Sequence, residues 1–522
     1  AAFSGNVSWQ EGQLAISAGQ LQFGTASVTG NLLLNQHSKL MQFDLDAQAP
    51  DLALYLPAAL QLQNHAAIPI SLRTTGTVTP DDWHLKTLQL DSIQAVISGN
   101  GLLERDGDEF IDSHLDAEIK IANLSPFSSW LARPLPDQDL QLSVELDSRA
   151  GVLLVEQLEM LSGDSDLSVT GRATNPSFPE LTLAGQSQLI NLAPWIRTFT
   201  TGKAGMATET APAHTTLPVA QLIPDYPISF DAWKGFEADI SLDINNLTGL
   251  VRPLEDLQSA FSLQRDGLRV DELSFDDGVN GSVALTGSLV DQDKTPQLDL
   301  ALTGESLIYG IPKAPEEDVD ALPSYDVKLR LTGSGQTTRT LASSLNGYLN
   351  LAMGSGHILN TGFDRLSNTF LQELSNALNP FKEQQAMTAI NCAAVFNTLK
   401  NGQAFGEPSI VVDTPKIKIL ANTHVSFDTE KVKASFKTIP QKGLGINMSS
   451  LVNPFVEVTG TLSAPRISLN PANTVVGGSL AVVTGGISLL LRSVLERLST
   501  GGNICAKRLQ KANEAMAELD ST

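Results

Sequence analysis

The chain has 522 residues, with 57 Asp and Glu against 34 Lys and Arg for a net charge of −23, and its aromatic content is only 6%. An apolar fraction of 42% excludes a chain that is disordered as a whole, and the acidic balance speaks against nucleic acid, whose phosphates need clustered cations. The charge is uneven: 14 Lys and Arg meet 10 Asp and Glu after residue 380, whereas 20 meet 47 before it. A mildly basic end of this kind fits a solvated surface first and contact with anionic lipid second.

The chain starts at Ala1-Ala2-Phe3 without a basic or apolar leader and runs straight into strand-like text, so it reads as a fragment or a processed product. Apolar residues then alternate with polar ones: Leu52, Leu54 and Leu56, then Leu115, Ala117, Ile119 and Ile121, then Leu140, Leu142, Val144 and Leu146. The same period returns at Ala238–Ile244, Leu298–Leu302, Val327–Leu331 and Val432–Phe436. Period two gives each strand one apolar and one polar face. Asp106-Gly107, Asp266-Gly267, Asp277-Gly278, Asn280-Gly281 and Asn401-Gly402 supply the positive φ of tight hairpins. The first 330 residues hold almost no helical text.

The strands recur in a fixed grammar. A Leu-x-apolar step leads through a turn to a strand carrying Gly, then a long alternating strand, then a short apolar knot. Four passages fit: Leu21–Phe23 to Gly30, Leu88–Leu90 to Gly99, Leu158–Met160 to Gly171, and Leu273–Phe275 to Gly287. The knots are Leu52–Leu56, Pro126–Leu131, Leu192–Ile196 and Leu307–Ile311. The Thr-, Ala- and Pro-rich stretch 198–227 reads as a flexible insertion, and 311–324 as a shorter one.

From Leu341 the text changes. A helix is expected over 364–377, stopped by Asn379-Pro380, followed by strands over 410–420 and 423–436 and a strand–Gly–turn–strand passage over 456–469. The uncharged run Val475–Leu491 is 17 residues with 4 Gly, the lower limit for a membrane span. Leu480, Val483, Ile487, Leu490, Val494 and Leu498 mark an amphipathic helix. Packing on the protein's own sheet comes first for it, contact with a membrane or membrane protein second, and a span third. The expected divisions are β-groove units over 1–197, the insertion 198–227, a further unit over 228–340, a distinct β region over 341–473 and a helical tail over 474–522.

The order Asn379-Pro380, Asn391-Cys392, Val412-Asp413-Thr414 and Val458-x-Gly460-x-Leu462-x-x-Pro465 resembles the C-terminal region of the AsmA family, in the AsmA-like group with TamB and YhdP. The resemblance covers about the last 180 residues as motif and the upstream repeats as style. It implies a Gram-negative protein projecting into the periplasm, anchored in the inner membrane by a helix of a longer parent chain, and a β-groove that carries phospholipid toward the outer membrane. Envelope proteins meeting the C-terminal tail are a further expectation. In that oxidising compartment Cys392 and Cys505 suit a disulfide, the alternative being two buried thiols.

No catalytic pattern appears. None of His37, His65, His84, His114, His214, His357 and His424 lies within four residues of another, so the HExxH pair of a metal site is missing. Gly333-Ser-Gly and Gly354-Ser-Gly lack the spacing of a nucleophile elbow, and there is no Walker A sequence. The expectation is no enzyme, no metal and no cofactor. The fold expected is all-β with C-terminal helices: an elongated, curled antiparallel sheet, folded like a taco, with an apolar interior. Leu181, Leu183, Ile240 and Leu242 in one stretch, and Leu298, Leu300, Leu302, Val327, Leu329 and Leu331 in another, are the expected lipid lining. The sequence leaves open which strand face turns inward, and ordinary packing against a second sheet fits each position as well. The other functional reading is an assembly factor for outer-membrane β-barrels that works through strand edges.

Overall fold

The computed structural model describes residues 2–51, 69–106, 109–128, 134–149, 151–174, 178–204, 222–308, 322–359, 387–441, 455–470 and 503–521. They are nearly all strand, and they fall into two compact units, residues 1–211 with 235–265 and residues 212–234 with 266–522.

In the first unit the chain zigzags. Strands β1 (Ala2–Gln10), β2 (Gln13–Phe23), β3 (Ala26–Asn35), β4 (Leu40–Ala49) and β5 (Ile70–Val78) come first. They are followed by β6 (Asp82–Ser92), β7 (Ala95–Asp106), β8 (Glu109–Ile121) and β9 (Leu140–Arg149). Next are β10 (Val152–Ser162), β11 (Ser165–Thr174) and β12 (Glu180–Ser187). Every consecutive pair from β1 to β12 is antiparallel.

The zigzag then breaks. After the short β13 (Ile190–Asn191), β14 (Glu237–Thr248) pairs parallel to β12, and β15 (Leu254–Gln264) returns antiparallel. A parallel pair needs a crossover, and helix α1 (Ala193–Ala204) lies within this one. The knot Leu192–Ile196 and the start of the insertion are therefore helical, contrary to the sequence reading. The reason is local: Ala193 N–H donates to Asn191 Oδ1 and Ile196 N–H to the Leu192 carbonyl, while Pro194 sits in the first turn, where a missing donor costs nothing.

The second unit continues the pattern with β16 (Gly267–Asp276), β17 (Ser282–Gln292), β18 (Thr295–Leu307), β19 (Tyr325–Ser334) and β20 (Asn346–Met353). Beyond a small two-stranded sheet, β21 (Gly356–Leu359) with β22 (Met387–Ile390), the ladder resumes on β20. It runs through β23 (Cys392–Lys400), β24 (Gln403–Asp413), β25 (Ile417–Ser426), β26 (Val432–Pro440), β27 (Phe455–Thr461) and β28 (Ala464–Asn470), all antiparallel. Among the described residues β1 pairs only with β2 and β28 only with β27, so neither ladder closes into a barrel.

Two details differ from the sequence reading here. The strand expected over 410–420 turns at Thr414-Pro415-Lys416, where the Thr414 hydroxyl accepts the N–H groups of Lys416 and Ile417. A short helix, α2 (Thr338–Ser344), precedes β20 and starts from a capping box between Thr337 and Thr340. Asn401 and Gly402 do hold positive φ, at 49° and 67°, as a two-residue hairpin turn requires. The helix expected over 364–377 and the stretch 475–498 lie outside the described residues.

The repeated grammar has a structural counterpart. In β2, β6, β10 and β16 the register slips at a bulge, between Ile16 and Gly19, Leu85 and Leu88, Val155 and Leu158, and Val270 and Leu273. Each bulge faces the Gly of the next strand, which in turn crowds the strand after it. A Cβ on Gly30, Gly99, Gly171 or Gly287 would stand 2.0, 2.6, 2.4 or 2.9 Å from the carbonyl oxygen of Asp44, Asp116, Thr182 or Asp299. Bulges raise local twist, and glycine is what lets three strands pass so closely.

The last described element is helix α3 (Ile504–Asp520), capped by Asn503, whose side chain accepts from the N–H groups of Cys505 and Ala506. It lies on β20, β23 and β24, and a disulfide joins Cys392 to Cys505 across a separation of 113 residues. Its buried face is Ile504, Cys505, Arg508, Ala512 and Met516. No helix among the described residues is long and apolar enough to cross a membrane.

Candidate functional site

Register places the alternating side chains in files that run from strand to strand. In the first unit Val28, Ala47, Leu72, Leu90, Ile97, Ile119, Leu142, Met160 and Leu167 stand opposite one another in turn. One residue away, on the other face, runs the file Thr29, Asp46, Arg73, Gln89, Ser98, Glu118, Ser143, Glu159, Ser168 and Gln186. One face is oil and the other is water-loving.

The apolar face is not covered as a core would be. Among the described residues of the first unit, the buried apolar side chains are Leu124, Pro136, Ala238, Ile244 and Leu254. The nine-residue file is half-buried almost throughout, and on β1 Phe3, Val7 and Trp9 are more than half exposed. A sheet packed on another sheet would bury such residues. Here they touch their neighbours in the sheet and keep part of their surface free.

The ten expected lining positions fall on this kind of face. Leu181 and Leu183 stand beside Ala238 and Ile240, and Gly185 beside Leu242. In the second unit Leu300 pairs with Leu331, Leu302 with Leu329, and Leu298 with Gly333, with Val327 beside Gly304. All ten are half-buried. Within each unit the chosen residues share one face. The sequence reading missed the file from Val28 to Leu167, although the same alternation marks it.

The polar face carries ion pairs. His114 lies between Asp147 (Nδ1 to Oδ1, 2.5 Å) and Asp116 (Nε2 to Oδ2, 3.1 Å), and Arg149 donates to Asp147. Hydrogen bonds from Asp147 and Asp116 push the His114 imidazole above its ordinary pKa, and His114 with Arg149 holds Asp147 low. His114, Asp116 and Glu145 bring one ligand atom each within 4.8 Å, the single such group among the described residues. When protonated, the imidazole bridges Asp116 and Asp147 as part of an ion-pair cluster.

Two buried carboxylates hold the rims. Asp277, 1% exposed, accepts the N–H groups of Val279, Gly281 and Ile308, fixing the chain where it leaves β18. Glu430, 3% exposed, accepts those of Leu222 and Ile223 at 2.9 and 2.8 Å, with Arg339 3.5 Å away. Burial alone would raise the Glu430 pKa, but the two N–H groups and the guanidinium outweigh it and hold the carboxyl below its usual value. Arg339 also donates to the Ile223 and Asp428 carbonyls, so the returning end of the insertion is clasped to the β25–β26 turn.

Under α3 the polar face changes character. Ala394, Val411 and Leu420 are buried there against Ile504 and Cys505, and Tyr348 and Phe396 against Ala512 and Met516. Arg508 is buried among them: its guanidinium lies 4.8 Å from the Phe396 ring centre and donates to the Phe396 carbonyl, and burial lowers its pKa to about 10. A search of family models finds no match to this chain, and a search of curated proteins finds none either.

Proposed function

We propose that the half-open apolar face binds the acyl chains of phospholipid and lets them pass along the sheet, in the periplasm between the inner and outer membranes. The observation that carries this reading is the apolar file from Val28 to Leu167, continuous over nine strands and left half-exposed. A methylene moved fully out of water gains about 0.8 kcal/mol, and one lying on an open face roughly half of that. Because Leu, Ile, Val, Ala and Met follow one another without a deep pocket or a buried charge, no position traps a chain, and a guest slides between near-equivalent sites. The opposite face, lined by Ser, Thr, Asp, Glu and Gln, keeps the other side in water. The compartment and the membrane partners follow from the resemblance to the AsmA family, which also supplies an inner-membrane anchor in the parent chain.

Photoreactive side chains at Leu300 and Leu329 test the reading in cells. Phospholipid adducts are expected at both, and few at Lys328, which points to the polar face. Adducts at Lys328 alone, or crosslinks at Leu300 to nascent barrel strands in place of lipid, would overturn it.

A further inference from the structure

We infer that the acyl-chain face of the second unit is blind at its C-terminal end, so that a guest held there neither enters nor leaves past β25–β27. The inference rests on the lipid reading above and comes from one file of side chains on the same face. Val283, Gly304, Val327, Leu351, Val395, Ile410, Ala421, Phe436 and Val456 are register partners in succession from β17 to β27. Their exposure changes along the way. Val283, Val327, Leu351, Val395 and Ile410 are half-buried, while Ala421, Phe436 and Val456 are 1%, 7% and 1% exposed.

Ala421, Ala434, Phe436, Val456 and Val458 pack into one cluster, with Ile410, Ile419, Val432 and Ile467 against it. On this face the apolar side chains of β25–β27 are therefore out of a guest's reach, whereas Val283, Val327 and Leu351 keep part of their surface free. The outer face of the neighbouring strands is sealed as well, by α3 on Ala394, Val411 and Leu420 and by the Cys392–Cys505 bridge. Side chains packed this closely leave no room for a guest chain unless their contacts break. The lipid-accessible stretch thus ends near β23–β24, and a guest on the strands before it has no way out past β25–β27.

Photoreactive groups placed singly at Leu329, Leu351, Ala421 and Val456 in the full chain, with phospholipid in vesicles as the probe, read this directly. Adducts at Leu329 and Leu351 should exceed those at Ala421 and Val456 at least tenfold. Comparable labelling at Val456 and Leu329 overturns the closed end and leaves the conduit standing. No labelling at any of the four overturns both. A second arm opens the stopper by Phe436→Ala, with formation of the Cys392–Cys505 bridge as the check on folding. Labelling at Ala421 should rise severalfold in the bridged variant, and labelling that stays at the unmodified level overturns the assignment of Phe436 to the stopper.

Discussion

At the scale of single residues, Glu430 shows how a buried charge is made tolerable. Two backbone N–H groups and a guanidinium replace the water it has lost, and the carboxyl is more acidic folded than free. A group with a depressed folded pKa adds stability above its unfolded value near ~4.3 and loses that contribution as pH falls through the folded pKa. Glu430→Gln should therefore weaken the clasp by about 1–2 kcal/mol at neutral pH. The measurement is hydrogen exchange at the Leu222 and Ile223 amides, expected to speed up about tenfold in the variant. In the unmodified protein the same protection should fade as the pH drops below ~4. Unchanged exchange at pH 7 would show that the carboxylate is not what holds the segment.

At the scale of elements, the repeating bulge and the glycine facing it form one device. Gly171 sits where a methyl would meet the Thr182 carbonyl oxygen at 2.4 Å and the Leu183 side chain at 2.6 Å. Gly235 has nothing within 4 Å of the same position. Gly171→Ala should cost about 1–3 kcal/mol in urea unfolding, whereas Gly235→Ala should stay within about 0.5 kcal/mol of the unmodified chain. Equal effects would mean that close strand approach is not the reason for glycine in the repeat. The repeat was legible in the sequence through Leu88-Gln-Leu90 and Gly99 and their equivalents. The bulge was not, because a slip of register is a relation between two strands, and each strand alone still reads as alternation.

At the scale of the whole molecule, stability is unevenly distributed. The described residues of the first unit bury five apolar side chains, Pro136 the most deeply, while β23–β27 with α3 hold clusters on both faces. The Cys392–Cys505 bridge belongs to the well-packed part. A bridge closing a loop this long contributes on the order of 2–4 kcal/mol. Reduction should therefore loosen α3, read as lost amide protection over Ile504–Asp520, and leave the amides of β1–β12 as they were. Loss of protection in β1–β12 as well would show that the C-terminal packing supports the entire chain.

Alternation by itself determined that this protein is a succession of two-faced antiparallel strands, because a period of two permits little else for Leu140–Leu146 or Leu298–Leu302. Turn chemistry fixed hairpins such as Asn401-Gly402, since few residue pairs accept two positive φ values. The helix at Ala193 was hidden, because its signal is a cap on Asn191 inside a stretch that composition marks as loop. The parallel pairing of β12 with β14, the common face of the ten expected lining residues and the burial of Phe436 belong to the tertiary structure alone. Each depends on which strands lie side by side and how far a side chain is covered, and no local pattern encodes the distance between residues so far apart in the chain.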